Sequence, residues 1–173
     1  LKYQNNKFKF DEPFQGLFTQ GMVCHETYKD KSGNWISPDE IININGEKFL
    51  KEDKSQKIKI GPSESMSKSK KNTIDPEKII SDFGADSVRL FILSDSPPEK
   101  DVQWSDTGVV SANKFLQRIW NLNLIIASRV EIKNIEISLE KKFEMEINSF
   151  VQKIDSSIQD FRFNVSIANF YEV

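Results

Sequence analysis

Histidine and cysteine are almost missing: the 173 residues contain one of each, His25 and Cys24. A single cysteine excludes an intramolecular disulfide framework and fits a reducing compartment. Two adjacent ligand-type residues with no second Cys/His pair cannot close a zinc site, so no metal site is expected and both residues are read as structural. No apolar run reaches spanning length and no signal peptide is seen, which points to a soluble, cytoplasmic protein with no membrane partner. A large excess of positive charge is also lacking. The net charge is −2, with 29% charged and 38% hydrophobic residues, unlike a compact basic nucleic-acid binder. Any RNA contact must therefore come from local patches. There is no Gly-x4-Gly-Lys pattern, which excludes a P-loop.

One stretch stands out against these absences: Ser65-Met66-Ser67-Lys68-Ser69, continuing as Lys70-Lys71-Asn72-Thr73-Ile74-Asp75-Pro76. Lys68, Lys70 and Lys71 concentrate positive charge, and Ser65, Ser67 and Ser69 supply short hydroxyl donors able to reach phosphate oxygens. Asp75 is a helix N-cap, Pro76 suits the first helical position, and Glu77 lies in the favoured first turn. The loop is expected to be anchored at this far end and free at its near end. Its composition also fits a solvated surface segment. A lysine beside a departing pyrophosphate would stabilise charge that develops in the transition state.

The order of residues resembles the Lys-Met-Ser-Lys-Ser signature loop of class I aminoacyl-tRNA synthetases, and the flanks resemble the leucyl enzymes of bacteria. Lys70-Lys71-Asn72 stands where those enzymes have Lys-Asn-Asn. The resemblance runs upstream through Glu12-Pro13-Phe14 and Leu17-Phe18-Thr19-Gln20-Gly21-Met22-Val23. Downstream it covers Gly84-Ala85-Asp86-Ser87-Val88-Arg89-Leu90-Phe91, Ser96-Pro97-Pro98, Trp104 and the segment Ala112 to Trp120. Two departures are Ser65 for the first lysine of the signature and Lys71 for the first asparagine of the pair.

The resemblance implies leucine–tRNA ligase activity in the complete protein: ATP activates leucine to leucyl-adenylate, and the leucyl group passes to tRNA(Leu). ATP is a substrate, Mg2+ accompanies it, and the full-length enzyme is a monomer. Lys68 is the implied catalytic residue, and Ser65, Met66, Ser67, Lys68 and Ser69 the implied ATP-binding loop. Lys114, Arg118 and Arg129 are the expected tRNA contacts. The family's His-x-Gly-His element needs two histidines, so this chain is read as a middle-to-late segment, inactive alone. The alternatives are a non-catalytic RNA-binding module and one half of a split synthetase.

The implied fold is α+β: the end of a Rossmann-type catalytic domain with a small antiparallel β insertion, then a connector and part of an α-helical bundle. Residues 1–27 are assigned to the end of the nucleotide-binding domain, with a buried strand near Thr19 to Val23 and the aromatic residues Phe8, Phe10, Phe14 and Phe18 in its core. Residues 28–60 form the insertion, of the leucine-specific-domain type. Its strands are Ile41–Ile44 and Lys48–Leu50, joined at Asn45-Gly46, and Lys57–Ile60, closed by Gly61-Pro62. Residues 61–76 hold the signature loop. Residues 77–105 are the connector, with helices Pro76–Phe83 and Ala85–Leu93 separated by Gly84, and an Asp86–Arg89 ion pair. Residues 106–173 are the partial tRNA-binding bundle, with helices over about 106–129 and 139–160 and a third starting near Asn164. Apolar surface is expected to remain exposed on that bundle.

Overall fold

The computed structural model describes residues 14–129 and 137–172. The expectations for Phe8, Phe10 and Glu12-Pro13 lie outside the described residues. The fold is α+β. Strand β1, Val23–Lys29, is the centre of a three-stranded sheet in which β4, Lys59–Ser65, runs antiparallel on one side and β5, Val102–Gln103, parallel on the other. Strands β2, Ile41–Ile44, and β3, Glu47–Leu50, form a separate hairpin. Its turn has positive φ at Asn45 (52°) and Gly46 (87°), the type I′ geometry that Asn-Gly favours, and Asn43 Oδ1 accepts from Gly46 N–H at 2.9 Å.

The third insertion strand expected over Lys57–Ile60 is corrected. Lys57 makes only an isolated bridge to Phe49, and Ile58 N–H donates to the Lys48 carbonyl at 2.8 Å. From Lys59 the chain leaves the hairpin and pairs with β1 up to Ser65. Gly61-Pro62 does not close the segment, because a bulge admits it into β4. The register passes from Glu26↔Ser63 to Tyr28↔Ile60, so Gly61 and Pro62 together face Thr27. Gly61 is needed there, since a Cβ would stand 2.5 Å from Thr27 Oγ1. The carbonyl of Pro62 accepts from the same hydroxyl at 3.0 Å.

The buried strand expected near Thr19 to Val23 is also corrected: regular pairing starts at Val23, where Val102 supplies a partner. Residues 14–22 carry no strand, and Phe14 and Leu17 are 77% and 91% exposed rather than in the core. Among the described residues, Phe18 finds one aromatic neighbour, stacking on Phe161 at 4.9 Å.

Helix α1, Pro76–Phe83, is capped as its sequence requires, with Asp75 Oδ1 accepting from Glu77 N–H at 3.0 Å. Gly84, at φ 81°, turns the chain into α2, Ala85–Asp95. Helix α3, Asp106–Ser128, starts at Ser105, whose Oγ accepts from Gly108 N–H at 3.1 Å. Phe91, Val102, Val109 and Ala112 form the buried core between α2, α3 and β5, with Trp104 against Phe91 edge to face. Asn113 Nδ2 donates to the Phe83 carbonyl and to Ser87 Oγ, both at 3.0 Å, locking α3 onto α2. Helices α4, Ile137–Gln159, and α5, Phe163–Glu172, pack together through Phe150 and Phe170, and α5 reaches α3 through a Phe115–Tyr171 stack at 3.9 Å. The outer half of α3 leaves Trp120, Leu122, Leu124 and Ile126 exposed, the apolar surface expected of this region. No described helix is long and apolar enough to cross a membrane.

Candidate functional site

The serine- and lysine-rich stretch is a short turn mounted on the end of the β1–β4 ladder. Ser65 is the last residue of β4, opposite Cys24. Met66 extends the ladder by one more bond, its N–H donating to the Val23 carbonyl at 3.1 Å. Residues 68–71 then form a turn in which Lys71 N–H donates to the Lys68 carbonyl at 3.2 Å and Lys70 N–H to Ser67 Oγ at 3.3 Å. Ser67 Oγ and Ser69 Oγ lie 3.2 Å apart.

The loop is therefore held at both ends, which corrects the expectation of a free near end. The residue responsible is Asn72, which has no exposed surface at all. Its Oδ1 accepts from Ser67 N–H at 2.8 Å. Its Nδ2 donates to the carbonyls of Glu64, at 3.1 Å, and His25, at 3.3 Å. His25 and Glu64 are register partners of β1 and β4, so one buried amide closes the end of the ladder and fixes the start of the turn. A buried amide so fully paired avoids the cost of about 1–3 kcal/mol that an unsatisfied group would carry. The sequence reading used Asn72 only for the resemblance. Its structural task had no sequence signal beyond an asparagine following a lysine pair.

The three loop lysines separate into two kinds. Lys70 is half-buried and forms an ion pair with Glu64. Lys68 and Lys71 are exposed, and Lys68 sits at the start of the turn with Ser67 and Ser69 on either side. Lys71 takes a positive φ of 53°, a conformation that asparagine adopts more readily than lysine.

A second polar cluster lies next along β1. Lys48 Nζ donates to Glu26 Oε2 at 2.5 Å and to Tyr28 Oη at 2.7 Å, while Tyr28 Oη donates to Glu26 Oε2 at 2.8 Å. The hydrogen bond from Lys48 holds the Glu26 carboxyl below its ordinary range, and burial pushes the Tyr28 phenol up. These contacts bind the hairpin to β1. From the other side, Lys78 of α1 pairs with Asp39 at 3.1 Å. The hairpin is thus tied to β1, and the residues just before it to α1.

His25 Nδ1 lies 3.0 Å from the Glu26 carbonyl, and burial lowers its pKa. Cys24 is buried, and burial raises its thiol pKa. Among the described residues no group of three His, Cys, Asp or Glu side chains is arranged to hold a metal ion. Lys114 and Arg118 lie one turn apart on α3 and Arg129 at its C-cap, all exposed. Asp86 and Arg89 pair at 3.3 Å with about three quarters of each side chain exposed, so the pair contributes only a few tenths of a kcal/mol.

Residues 58–105 match the family described as tRNA synthetases class I (I, L, M and V). That span takes in β4, the turn, α1, α2 and β5. The chain is similar to leucine–tRNA ligases. Identity is 44% with the one from Afipia carboxidovorans, over 94% of this chain and 19% of the relative, and 43% with the one from Rickettsia typhi, over 97% and 20%. The leucine–tRNA ligase of Zymomonas mobilis is 40% identical, over 94% and 18%. The chain spans about a fifth of the length of these relatives. The structure resembles that of the Agrobacterium radiobacter K84 agnB2 LeuRS, solved in a ternary complex with tRNA and LeuAMS. The TM-score is 0.57 at 24% identity, over 63% of this chain and 15% of that one, which supports the α+β fold class.

Proposed function

We propose that this chain is the segment of a leucine–tRNA ligase that presents the signature loop to ATP, and that Lys68 is its catalytic residue. In the reaction, leucine's carboxylate oxygen attacks the α-phosphorus of ATP, the bond to the β-phosphate oxygen breaks, and leucyl-adenylate and pyrophosphate form. A terminal ribose hydroxyl of tRNA(Leu) then takes the leucyl group and AMP leaves. Lys68 stabilises the negative charge that gathers on the departing phosphates, and Ser65, Met66, Ser67 and Ser69 shape the loop around the nucleotide. Mg2+ enters with ATP as its phosphate-bound ion.

The observation that carries this reading is the division of labour among the loop's cations. Glu64 neutralises Lys70, while Lys68 stands exposed on a turn fixed at both ends by Met66 and Asn72. A point charge on a rigid mount is what phosphate stabilisation needs, because misplacement of about 1 Å can cost about 100-fold in rate. On the same reading, residues 1–27 close the catalytic domain, 28–60 form the insertion, 61–76 the loop and 77–105 the connector. Residues 106–173 begin the tRNA-binding bundle, where Lys114, Arg118 and Arg129 meet the RNA backbone. The whole enzyme works as a monomer in the cytoplasm.

The test is amino-acid-dependent exchange of labelled pyrophosphate into ATP, by the full-length polypeptide that contains this chain. Exchange with leucine, and not with isoleucine, valine or methionine, is expected. Exchange driven by one of the other three, or none with any, overturns the assignment.

A further inference from the structure

We propose that Asn72 is the positioning residue for Lys68, acting through the backbone of Ser67; the inference rests on the reading of Lys68 given above. Three independent pieces of backbone meet at one side chain. The carbonyl of His25 comes from β1, the carbonyl of Glu64 from β4, and the N–H of Ser67 from the residue that leads into the turn. The amide's donor and acceptor ends are used in opposite directions, so the side chain cannot rotate without losing both sets. Ser67 is adjacent to Lys68, and its Oγ accepts from Lys70 N–H. The amide therefore fixes the residue from which the turn is built. Complete burial keeps water from substituting for any of these bonds.

The other fixed points do not do this work. The Met66 bond to Val23 extends the sheet and stops one residue short of the turn. The Lys70–Glu64 pair is partly exposed at both partners and joins two flexible side chains rather than backbone. Only Asn72 connects the rigid ladder to the peptide immediately before Lys68. Loss of its amide leaves the lysine in place chemically and frees it spatially.

The experiment is a double-mutant cycle in the full-length polypeptide, read by leucine-dependent pyrophosphate exchange with leucine KM measured alongside. Asn72→Ala should lower exchange kcat by about 100-fold, the scale of a displaced catalytic group, with leucine KM unchanged. In a Lys68→Ala background the same substitution should cost less than about threefold, because the lysine it positions is gone. Asn72→Asp keeps the acceptor for Ser67 N–H and loses the donated bonds, so it should fall between wild type and Asn72→Ala. Equal losses in both backgrounds would overturn the proposal in favour of a general effect on folding. Full activity of Asn72→Ala would overturn it outright. Absence of leucine-dependent exchange in the unmutated protein would instead overturn the functional reading, so the two failures are distinguishable.

Discussion

Gly108→Ala sets two effects of opposite sign against each other in the core that supports the loop. Gly108 lies in the first turn of α3, and replacing a helical glycine with alanine ordinarily stabilises by up to about 1 kcal/mol. A Cβ at this position, however, would stand 2.4 Å from Phe91 Cε2 and 2.7 Å from Cδ2. Phe91 is only 4% exposed, and its ring packs at 82° on Trp104 with centroids 5.6 Å apart. The ring therefore has no free space in which to yield, and overpacking of this type costs about 1–3 kcal/mol. The clash should win, giving net destabilisation of about 1–2 kcal/mol, or a fall in Tm of about 3–6 °C for a protein of this size. Thermal unfolding by circular dichroism measures it. Shrinking the ring supplies the control: Phe91→Leu combined with Gly108→Ala should be more stable than the sum of the single effects by about 1 kcal/mol. A stabilised Gly108→Ala protein, or strict additivity in the pair, would refute the packing described for α2, α3 and β5.

Lys71→Asn should raise stability by about 0.5–1 kcal/mol, because asparagine tolerates the left-handed backbone at this position better than lysine; urea unfolding of the two proteins checks it. His25 provides a pH prediction. Burial lowers its pKa below the ordinary 6.5, outweighing the opposing effects of the Glu26 carbonyl and of the Asp106 and Glu26 charges. The folded state thus binds fewer protons than the unfolded one. The associated stability is complete above pH 6.5 and is lost as pH falls through the lowered folded value. His25→Gln should flatten that part of the stability profile, and titration of the single imidazole by NMR should give a midpoint below 6.5. An unshifted midpoint would contradict the burial seen at this side chain.

Local chemistry made much of the fold legible in advance. Asp75-Pro76 marked the start of α1, Gly84 the break before α2 and Asn45-Gly46 the hairpin turn, because each of these residues acts on its own few neighbours. Pairings that depend on distant residues were not legible. Gly61-Pro62 reads as a breaker, yet a bulge opposite Thr27 seats it within β4. Phe14 reads as core, but hydrophobicity alone cannot say whether a partner covers it. Asn72 is the sharpest case: its four partners include His25, 47 positions away, and nothing in the local sequence announces that contact.

The measurement that tests the central claim most directly is single-turnover formation of leucyl-adenylate by the full-length polypeptide, wild type against Lys68→Ala, at saturating leucine and ATP. Removing one well-placed stabiliser of developing charge should cost about 3–4 kcal/mol, a fall of roughly 100- to 1,000-fold in the rate of the chemical step, with leucine affinity unchanged. A rate within a few fold of wild type would mean that Lys68 does not stabilise the departing phosphates and that the loop serves some other purpose.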